Sequence, residues 1–399
     1  MNGFNLSDIT DAKLGTTTLG SIYLGSTKLW PLGPDYSKEY FTIEALENTT
    51  IRLHKNTTSG TKRSVAFSRN GQTWNILVTE GDAVDYEYDN VELSAGEKIY
   101  INASNWPNVT TSDYVYFTSN GNINVYGNVN SIIDINFKTR NIMRNYMFYK
   151  LFYKLPIVDA SNLVLPSTPG NYSYQSMFED CTQLVYPPKR LSGTEVGDYG
   201  CSCMFRGCTS IVDVPDLPAT TLAGYAYESM FENCRSLKVL PKLNHITTIK
   251  YWAPFRFTFS DCISIEDARW DKYGNRLLPD RLTVKGGGSA YELMFNGCKG
   301  LKYAPELTET RPHTGEYNQM FAYCSNSSFL NIYTHATSLG TNYFSNIVRG
   351  TKHSGNIIRA NNVTWDSAQY QQFNYSGSGS SALTWEISTG DYTSGDYQT

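Results

Sequence analysis

The stretch Tyr174-Gln-Ser-Met177-Phe178-Glu-Asp-Cys181-Thr-Gln-Leu184 decides the fold of this chain, because the same pattern of residue types recurs along it. A central Phe, usually preceded by Met and followed three residues later by Cys, returns in seven full or partial copies of this motif. The central Phe is found at positions 152, 178, 205, 231, 259, 295 and 321, so five of the six steps measure 26 to 28 residues and one measures 36. A repeat of near-constant period predicts a solenoid, in which one supersecondary unit stacks on copies of itself.

The spacing within each motif predicts a short helix. Its aromatic residue, Met, Phe and Cys lie at i, i+3, i+4 and i+7, which places all four on one face of two helical turns. Each motif is followed by Leu or Ile and then usually by Pro, as in Leu237-Lys-Val-Leu-Pro241, which predicts a strand of three or four residues. Because so short a helix is not stable alone, we expect it to depend on packing against neighbouring copies.

The pattern Tyr-x-x-Met-Phe-x-x-Cys-x-x-Leu-x-x-x-Pro-x-Leu resembles the BspA-like leucine-rich repeats of bacterial surface proteins. The phrase Ala-Thr-Thr-Leu at 219–222 is similar to the connecting phrase in versions from gut Bacteroides and their phages. This resemblance covers the chain from Phe148 to Cys324. It implies a scaffold for adhesion or display, and it does not name a ligand.

The composition gives no indication of a nucleic-acid partner. The chain has 33 Lys and Arg against 37 Asp and Glu, a net charge of −4, so we expect no nucleic-acid partner. Only 18% of the 399 residues are charged, while 30 are Tyr. Such a neutral surface is typical of carbohydrate-facing proteins, and equally of β-rich chains whose Tyr fill strands. No apolar run of about 18 residues occurs, so we expect no membrane insertion.

Residues 1–35 form a segment of their own. Apolar residues separated by Gly15, Gly20 and Gly25 predict two or three short strands that cannot bury their apolar side chains alone. The segment resembles the N-terminal part of fibre and accessory proteins in phages of Bacteroides, including crAss-like phages, which implies attachment to other virion proteins. The virion-docking residues implied by this resemblance are Leu14, Leu19, Ile22, Leu24, Leu29 and Trp30. The alternative is an edge hairpin packed on the next domain.

The rest of the chain divides into three parts. In residues 36–135 apolar residues alternate with period two between turn signals such as Asn70-Gly71, which predicts an antiparallel β-sandwich. The seven-copy leucine-rich-repeat solenoid then spans 136–330. Residues 331–399 are predicted to be a C-terminal cap and tail with a helix-like stretch near Asn342–Arg349, since the last copy needs a cover. The predicted fold class is therefore mixed α and β, with a short N-terminal β docking segment, a β-sandwich, a solenoid and a cap.

One step of the repeat is longer than the others, and its extra residues lie between Ile265 and Leu282. Insertions in solenoids emerge as loops and often bind ligands. The predicted ligand-binding residues are aromatic and basic residues of this insertion and of the preceding copy: Tyr251, Trp252, Trp270, Tyr273 and Arg276. The alternative is a loop that folds back onto the solenoid and uses Trp270 as its own core.

Six of the eight Cys occupy the same motif position. If neighbouring helices stack roughly 10 Å apart, these thiols exceed the ~4.4–6.8 Å that a disulfide spans, so we expect free, buried cysteines. Cys201 and Cys203 have no His nearby, and the five His are scattered, so no metal site is predicted. Catalytic and phosphate-binding motifs are missing from the sequence, and we expect neither a cofactor nor an enzyme.

These observations predict a non-enzymatic structural protein of a phage virion, a head or tail fibre or accessory protein assembled in the host cytoplasm. The N-terminus has no features of a signal peptide, which favours this hypothesis over a bacterial cell-surface adhesin with leucine-rich repeats. The solenoid would attach to a host surface glycan or protein, and a homo-oligomer such as a trimer is compatible with a fibre. A glycan-cleaving enzyme, the third hypothesis, requires two carboxylates about 5–10 Å apart in a cleft.

Overall fold

A computed structural model describes most of the chain. Its described residues are 35–56, 62–82, 87–106, 109–140, 143–166, 169–191, 193–279, 282–284, 288–309, 312–324, 330–336 and 347–349. Short strands are also described at 13–14, 17–18, 22–24, 27–30, 355–360 and 385–390.

The N-terminal segment forms two separate hairpins. Strands β1 (Lys13–Leu14) and β2 (Thr17–Thr18) pair antiparallel, as do β3 (Ile22–Leu24) and β4 (Thr27–Trp30). The side chains of the predicted docking residues lie outside the described residues, and Leu19 lies outside them altogether; these residues are Leu14, Leu19, Ile22, Leu24, Leu29 and Trp30. Their role in docking stays a prediction.

A β-sandwich follows a short 3-10 helix at Tyr36–Lys38. Its strands are β5 (Phe41–Ala45), β6 (Thr49–Lys55), β7 (Ser64–Ser68), β8 (Asn75–Val78), β9 (Glu87–Tyr88), β10 (Asn90–Leu93), β11 (Lys98–Asn105), β12 (Val115–Ser119) and β13 (Ile123–Asn128). One sheet has the order β10-β6-β12, and the other runs β13-β5-β11-β7-β8-β9. Alternate residues face the core, so that Ile51 and Leu53 of β6 are fully buried while Arg52 is not.

The sandwich and the solenoid share one hydrophobic core. Each repeat of the solenoid is hereafter called a coil. After a 3-10 helix at Val129–Ile132, the first coil adds two strands, β14 (Ile157–Asp159) and β15 (Leu163–Val164), which pair in parallel with β13. Phe41 of the sandwich stacks on Phe152 of the first motif, with ring centroids 5.4 Å apart. The N–H of Phe117 in β12 donates to the carbonyl of Leu151 at 3.0 Å. The sandwich therefore covers the first coil, as the cap of a solenoid does.

The prediction of a helix in each repeat is wrong. Among the described residues the structure has no α-helix, so its class is essentially all β instead of mixed α and β. The motif forms a run of tight turns in which alternate N–H groups donate to two different acceptors. In the second copy Met177 N donates to Tyr174 O in its own coil, whereas Phe178 N donates to Met204 O of the next coil at 2.9 Å. This second set of bonds ties each coil to its successor.

The backbone of the motif explains why no helix forms. Every fourth residue has a positive φ, at the positions six and two residues before the central Phe and two after it. In the second copy these are Tyr172 (φ 58°), Ser176 (φ 57°) and Asp180 (φ 59°). A positive φ interrupts a right-handed helix and costs a residue other than Gly about 1–2 kcal/mol. The bonds to the next coil hold these residues in place.

Outside the motif, successive coils pair through short parallel β-ladders. One consists of β16 (Glu195–Val196), β17 (Thr221–Leu222), β18 (Thr248–Ile249) and β19 (Thr283–Val284). A second parallel sheet follows Cys324, with β20 (Leu330–Thr334), β21 (Gly355–Ala360) and β22 (Trp385–Gly390). Leu307 bridges to Thr334, so β20 lies on the preceding coil. In the predicted helix-like stretch, Ile347 and Arg349 accept hydrogen bonds from the last motif, and 342–346 lie outside the described residues.

The seven central phenylalanines form a continuous column, as a solenoid requires. All are buried, and successive rings have centroids 5.2 to 6.0 Å apart. The coils are thus separated by roughly the spacing of β-strands instead of the ~10 Å of packed helices.

All eight cysteines are free, as expected, but the distance argument for this is wrong because the coils lie so close together. Each of the six motif cysteines instead points its Sγ at the carbonyl of the central Phe one coil back. Cys181 donates to Phe152 O at 3.0 Å, and Cys208 to Phe178 O at 3.0 Å. The thiols are small buried donors that satisfy one further lone pair per coil.

Candidate functional site

Four tyrosine rings form a column on the surface of the solenoid, hereafter the tyrosine column: Tyr146, Tyr172, Tyr199 and Tyr225. Each lies six residues before a central Phe, and all four rings are partly exposed. Their centroids are 4.6, 5.0 and 4.8 Å apart with interplanar angles of 5° to 14°, so the rings stack nearly parallel. All four have a positive φ. Stacking contributes about 0.5–1.5 kcal/mol per pair, which offsets part of the backbone strain.

The column ends at two strongly exposed aromatic residues. Tyr251 and Trp252 follow β18 in the next coil and are 57% and 54% exposed. The N–H of Tyr225 donates to Trp252 O at 3.0 Å, so Trp252 is placed by the ladder that joins the coils. Tyr251 also packs against the backbone of Gly224, where an added Cβ would lie 3.3 Å from the Cβ of Tyr251. The aromatic surface thus extends over five consecutive coils.

The sequence singled out Tyr251 and Trp252 as candidates but gave no prediction of the tyrosine column. A signal was present, because Tyr recurs at the same distance before the central Phe in four successive copies. In a helix this position would precede the residues of the buried face, so its recurrence would predict no contact between the tyrosines. With coils one strand spacing apart, the same recurrence brings the rings into contact.

The insertion after Ile265 folds back on the solenoid. Lys272 Nζ donates to Val214 O at 2.6 Å and lies 3.1 Å from Asp216 Oδ1. The hydroxyl of Tyr273 donates to the same carboxylate at 2.5 Å, and this bond raises the pKa of Tyr273 to about 12. Asp271 is buried and accepts hydrogen bonds from the backbone N–H groups of Tyr273 and Asn275. The loop is therefore held by its own turn and by the coil two steps back.

The basic end of the insertion binds a buried carboxylate. Arg276 Nη1 lies 3.1 Å from Glu306 Oε2, and His335 Nε2 lies 2.5 Å from Glu306 Oε1. The Glu306 side chain is only 3% exposed. Trp270 is half-buried and its backbone bridges to that of Arg276. Arg276 thus links the insertion to Glu306 of the next coil, which also contacts His335 directly after β20.

The five predicted ligand-binding residues therefore contact different parts of the solenoid. Tyr251 and Trp252 lie against the 224–225 corner of the preceding coil, whereas Tyr273 contacts Asp216. Trp270 and Arg276 pair with one another in the turn of the insertion. The exposed ring of Tyr273 is 56% accessible, but its hydroxyl is engaged by the solenoid.

Several carboxylates of the motif face are paired with arginine. Arg206 donates to Glu179, and Arg256 lies 3.7 Å from Glu228 and 3.5 Å from Glu292. Burial raises the pKa of Glu228. These side chains alternate in sign along the stack, which stabilises the order of the coils and leaves the carboxylates opposed by cations.

Within the described ranges, no group of three or more His, Cys, Asp or Glu has the arrangement of a metal site. Of the same residues, none belongs to a helix long and apolar enough to cross a membrane.

No protein-family model and no curated protein matches the chain. A search of solved structures gave one weak similarity. The chain is similar to a leucine-rich repeat protein. That protein is from Bacteroides ovatus, its crystal structure is known, and the two sequences are 15% identical. The match covers 51% of this chain and 66% of that chain, slightly less than two thirds, with a TM-score of 0.18.

Proposed function

We propose that this chain is a non-enzymatic structural protein of a phage virion that presents the surface of its solenoid for attachment to a host glycan or surface protein. The observation that carries the proposal is the tyrosine column together with the exposed Tyr251 and Trp252. Aromatic rings with hydroxyl groups bury area and donate hydrogen bonds at little cost in side-chain entropy, which makes them effective in binding surfaces.

The ladder between coils supports this role. Five N–H groups of the second motif donate to the third, so the surface residues do not have to be ordered when a partner binds. Such a surface repeats the same chemistry once per coil, which suits a partner that is itself repetitive, such as a polysaccharide.

The N-terminal hairpins support placement in a virion. Each consists of two strands of two to four residues, and an isolated hairpin of this size is marginal in water. Docking on another virion protein would supply the missing packing. Under this proposal the chain is assembled into the particle in the host cytoplasm and leaves the cell as part of that particle.

Particle incorporation tests the virion role. Antibody against the chain should label density-purified particles, and particles assembled with a chain lacking residues 1–35 should be unlabelled. Labelling of the bacterial envelope instead of particles would favour the alternative, a cell-surface adhesin. Normal incorporation of the truncated chain would contradict docking through the hairpins.

Adsorption tests the attachment surface. The double variant Tyr251→Ser with Trp252→Ser should lower adsorption of the fluorescently labelled full chain to host cells. Tyr186→Ser is the matched control, because Tyr186 is also 50% exposed but lies on another side of its coil. Equal adsorption by both variants would exclude Tyr251 and Trp252 from attachment. Release of nitrophenol from nitrophenyl glycosides by the native chain would contradict a non-enzymatic role.

A further inference from the structure

A pocket of about 460 Å³ lies on the outer face of the larger sheet, where the sandwich meets the first coil. This volume falls within the roughly 300–1,000 Å³ range of small-molecule sites. The pocket belongs to strands β5, β11 and β13, to β14 of the first coil and to the 3-10 helix at Tyr36–Lys38. It lies on a different part of the molecule from the tyrosine column.

The floor of the pocket contains a row of polar side chains that cross four adjacent strands. Pairing places Lys98 opposite Glu44, Glu44 opposite Asn124, and Asn124 opposite Asp159. Directly paired residues of neighbouring strands lie within reach of one another on the same face. The row therefore offers an ammonium, two carboxylates and an amide in a line.

A second row, one pleat away, supplies aromatic walls. Tyr100 and Tyr126 are both paired with Thr42, so they flank it on the same face, with backbones about 10 Å apart. Tyr36 closes this side, with its ring centroid 5.8 Å from that of Tyr126 in an edge-to-face arrangement. Burial raises the pKa of Tyr126. The rows form a slot with aromatic sides and a polar end.

One buried acceptor in the pocket has no partner among the described residues. Asn124 Oδ1 is shielded from solvent and accepts no hydrogen bond. Leaving such an atom unpaired costs about 1–3 kcal/mol, so the site gains when a ligand donates to it.

The charges in the pocket select against ionic ligands. Glu39, Glu44 and Asp159 disfavour anions. The ammonium of Lys98, which is hydrogen-bonded to the side chain of Tyr100, disfavours a second cation beside it. A neutral polyol suits the mixture, because each hydroxyl both donates to carboxylates and accepts from an ammonium or amide. A pyranose also has an apolar face of C–H groups that packs on aromatic rings.

We propose that this pocket is a saccharide-binding site that holds one neutral pyranose ring between Tyr100 and Tyr126, with hydroxyl groups bonded to Asn124, Glu44 and Asp159. This inference deepens the proposed attachment to host glycans by assigning a specific sugar subsite outside the solenoid surface.

Saturation-transfer NMR on the full chain tests the assignment. The probes are methyl α-mannoside, methyl β-glucoside, methyl β-galactoside and methyl β-N-acetylglucosaminide, each at about 1–10 mM, where weak binding of a single ring is measurable. Methyl β-glucuronide, the carboxylate analogue of methyl β-glucoside, and tetramethylammonium chloride represent anionic and cationic ligands. We expect at least one neutral glycoside to bind and neither ion to bind.

Three variants separate binding from folding. Tyr126→Ala and Asn124→Ala should each weaken the bound glycoside at least about tenfold, a change of about 1.4 kcal/mol. Tyr116→Ala, which alters a tyrosine of β12 in the other sheet, should leave affinity unchanged. A melting curve identifies any variant that fails to fold, and Asn124→Ala carries the test if Tyr126→Ala proves unstable.

Binding of tetramethylammonium or methyl β-glucuronide in place of the neutral glycosides would overturn the inference, as would failure of every neutral probe or equal loss in Tyr116→Ala. This outcome is distinguishable from failure of the proposed function, because adsorption to cells is measured separately with Tyr251 and Trp252. Adsorption that persists without sugar binding would reject the pocket and leave attachment through the solenoid intact.

Discussion

Replacing Lys154 with Gly should stabilise the protein relative to replacing it with Ala. Lys154 has an exposed side chain and a φ of 59°, and its N–H donates to Glu179 O of the next coil at 2.9 Å. Both substitutions remove the contact between Lys154 Nζ and the ring of Tyr153, so the comparison isolates the backbone. Ala at positive φ keeps a Cβ clash that costs about 1–2 kcal/mol. Gly removes the clash but lowers stability by about 0.4–1 kcal/mol, because it increases the conformational entropy of the unfolded chain. The variant with Gly should be more stable by about 1 kcal/mol.

A helix would reverse the sign, since Ala is favoured over Gly in helix interiors by about 1 kcal/mol. Urea unfolding followed by tryptophan fluorescence measures the difference as a shift in midpoint at constant slope. The same pair at Gln319, with a φ of 53°, should repeat the result. At the exposed Gln183, where φ is not positive, Gly should be no better than Ala. Greater stability of Lys154→Ala than of Lys154→Gly would refute the turn structure of the motif.

Three further predictions concern the core. Phe231→Ala should lower the free energy of unfolding by about 3–5 kcal/mol, because Phe231 is fully buried between two other rings; a near-neutral result in urea unfolding would remove it from the core. Native protein at pH 8 should be almost inert to a thiol reagent, since burial raises the pKa of even the least buried thiol, that of Cys203, to about 11; rapid labelling of several cysteines would contradict this. Burial raises the pKa of the Glu316 carboxyl to about 8, above its unfolded value of 4.5, so its stabilising effect is complete below pH 4.5 and is lost as pH rises through about 8. Thermal unfolding across that range should show a decline that Glu316→Gln abolishes, and an equal decline in both proteins would count against it.

The existence of the repeat could be predicted from sequence, because apolar periodicity records which residues are buried. The buried faces of Met177, Phe178 and Cys181 follow from it directly. The local backbone did not follow, since the i, i+3, i+4, i+7 spacing is shared by a helix and by turns that repeat every four residues. The distinguishing signal was the residue just before the motif Cys, which is Asp180 or Gly207 in successive copies. Asp, Asn and Gly are the residues that tolerate a positive φ best.

The candidate site was predicted only in part for a related reason. Exposed aromatic residues such as Trp252 are visible as local anomalies in a sequence. The tyrosine column depends on the distance between coils, which the helix hypothesis overestimated about twofold. The sheet pocket depends on the register that places Asn124 beside Asp159, a residue of the following coil. Alternation assigns each residue to a face but does not state which strands are neighbours.

The backbone hydrogen bonds between successive motifs all run in one direction, and this makes the two ends of the stack chemically different. The first coil needs a donor, which Phe117 supplies, and the last needs acceptors, which Ile347 and Arg349 supply. Any interior coil presents the same five donors forward and the same carbonyls backward. Duplication or loss of a whole coil would therefore alter the reach of the molecule by roughly one strand spacing, about 5 Å, without disturbing either terminus. Duplication or deletion of the DNA that encodes one repeat would therefore change the length of the solenoid and keep the same first and last coils.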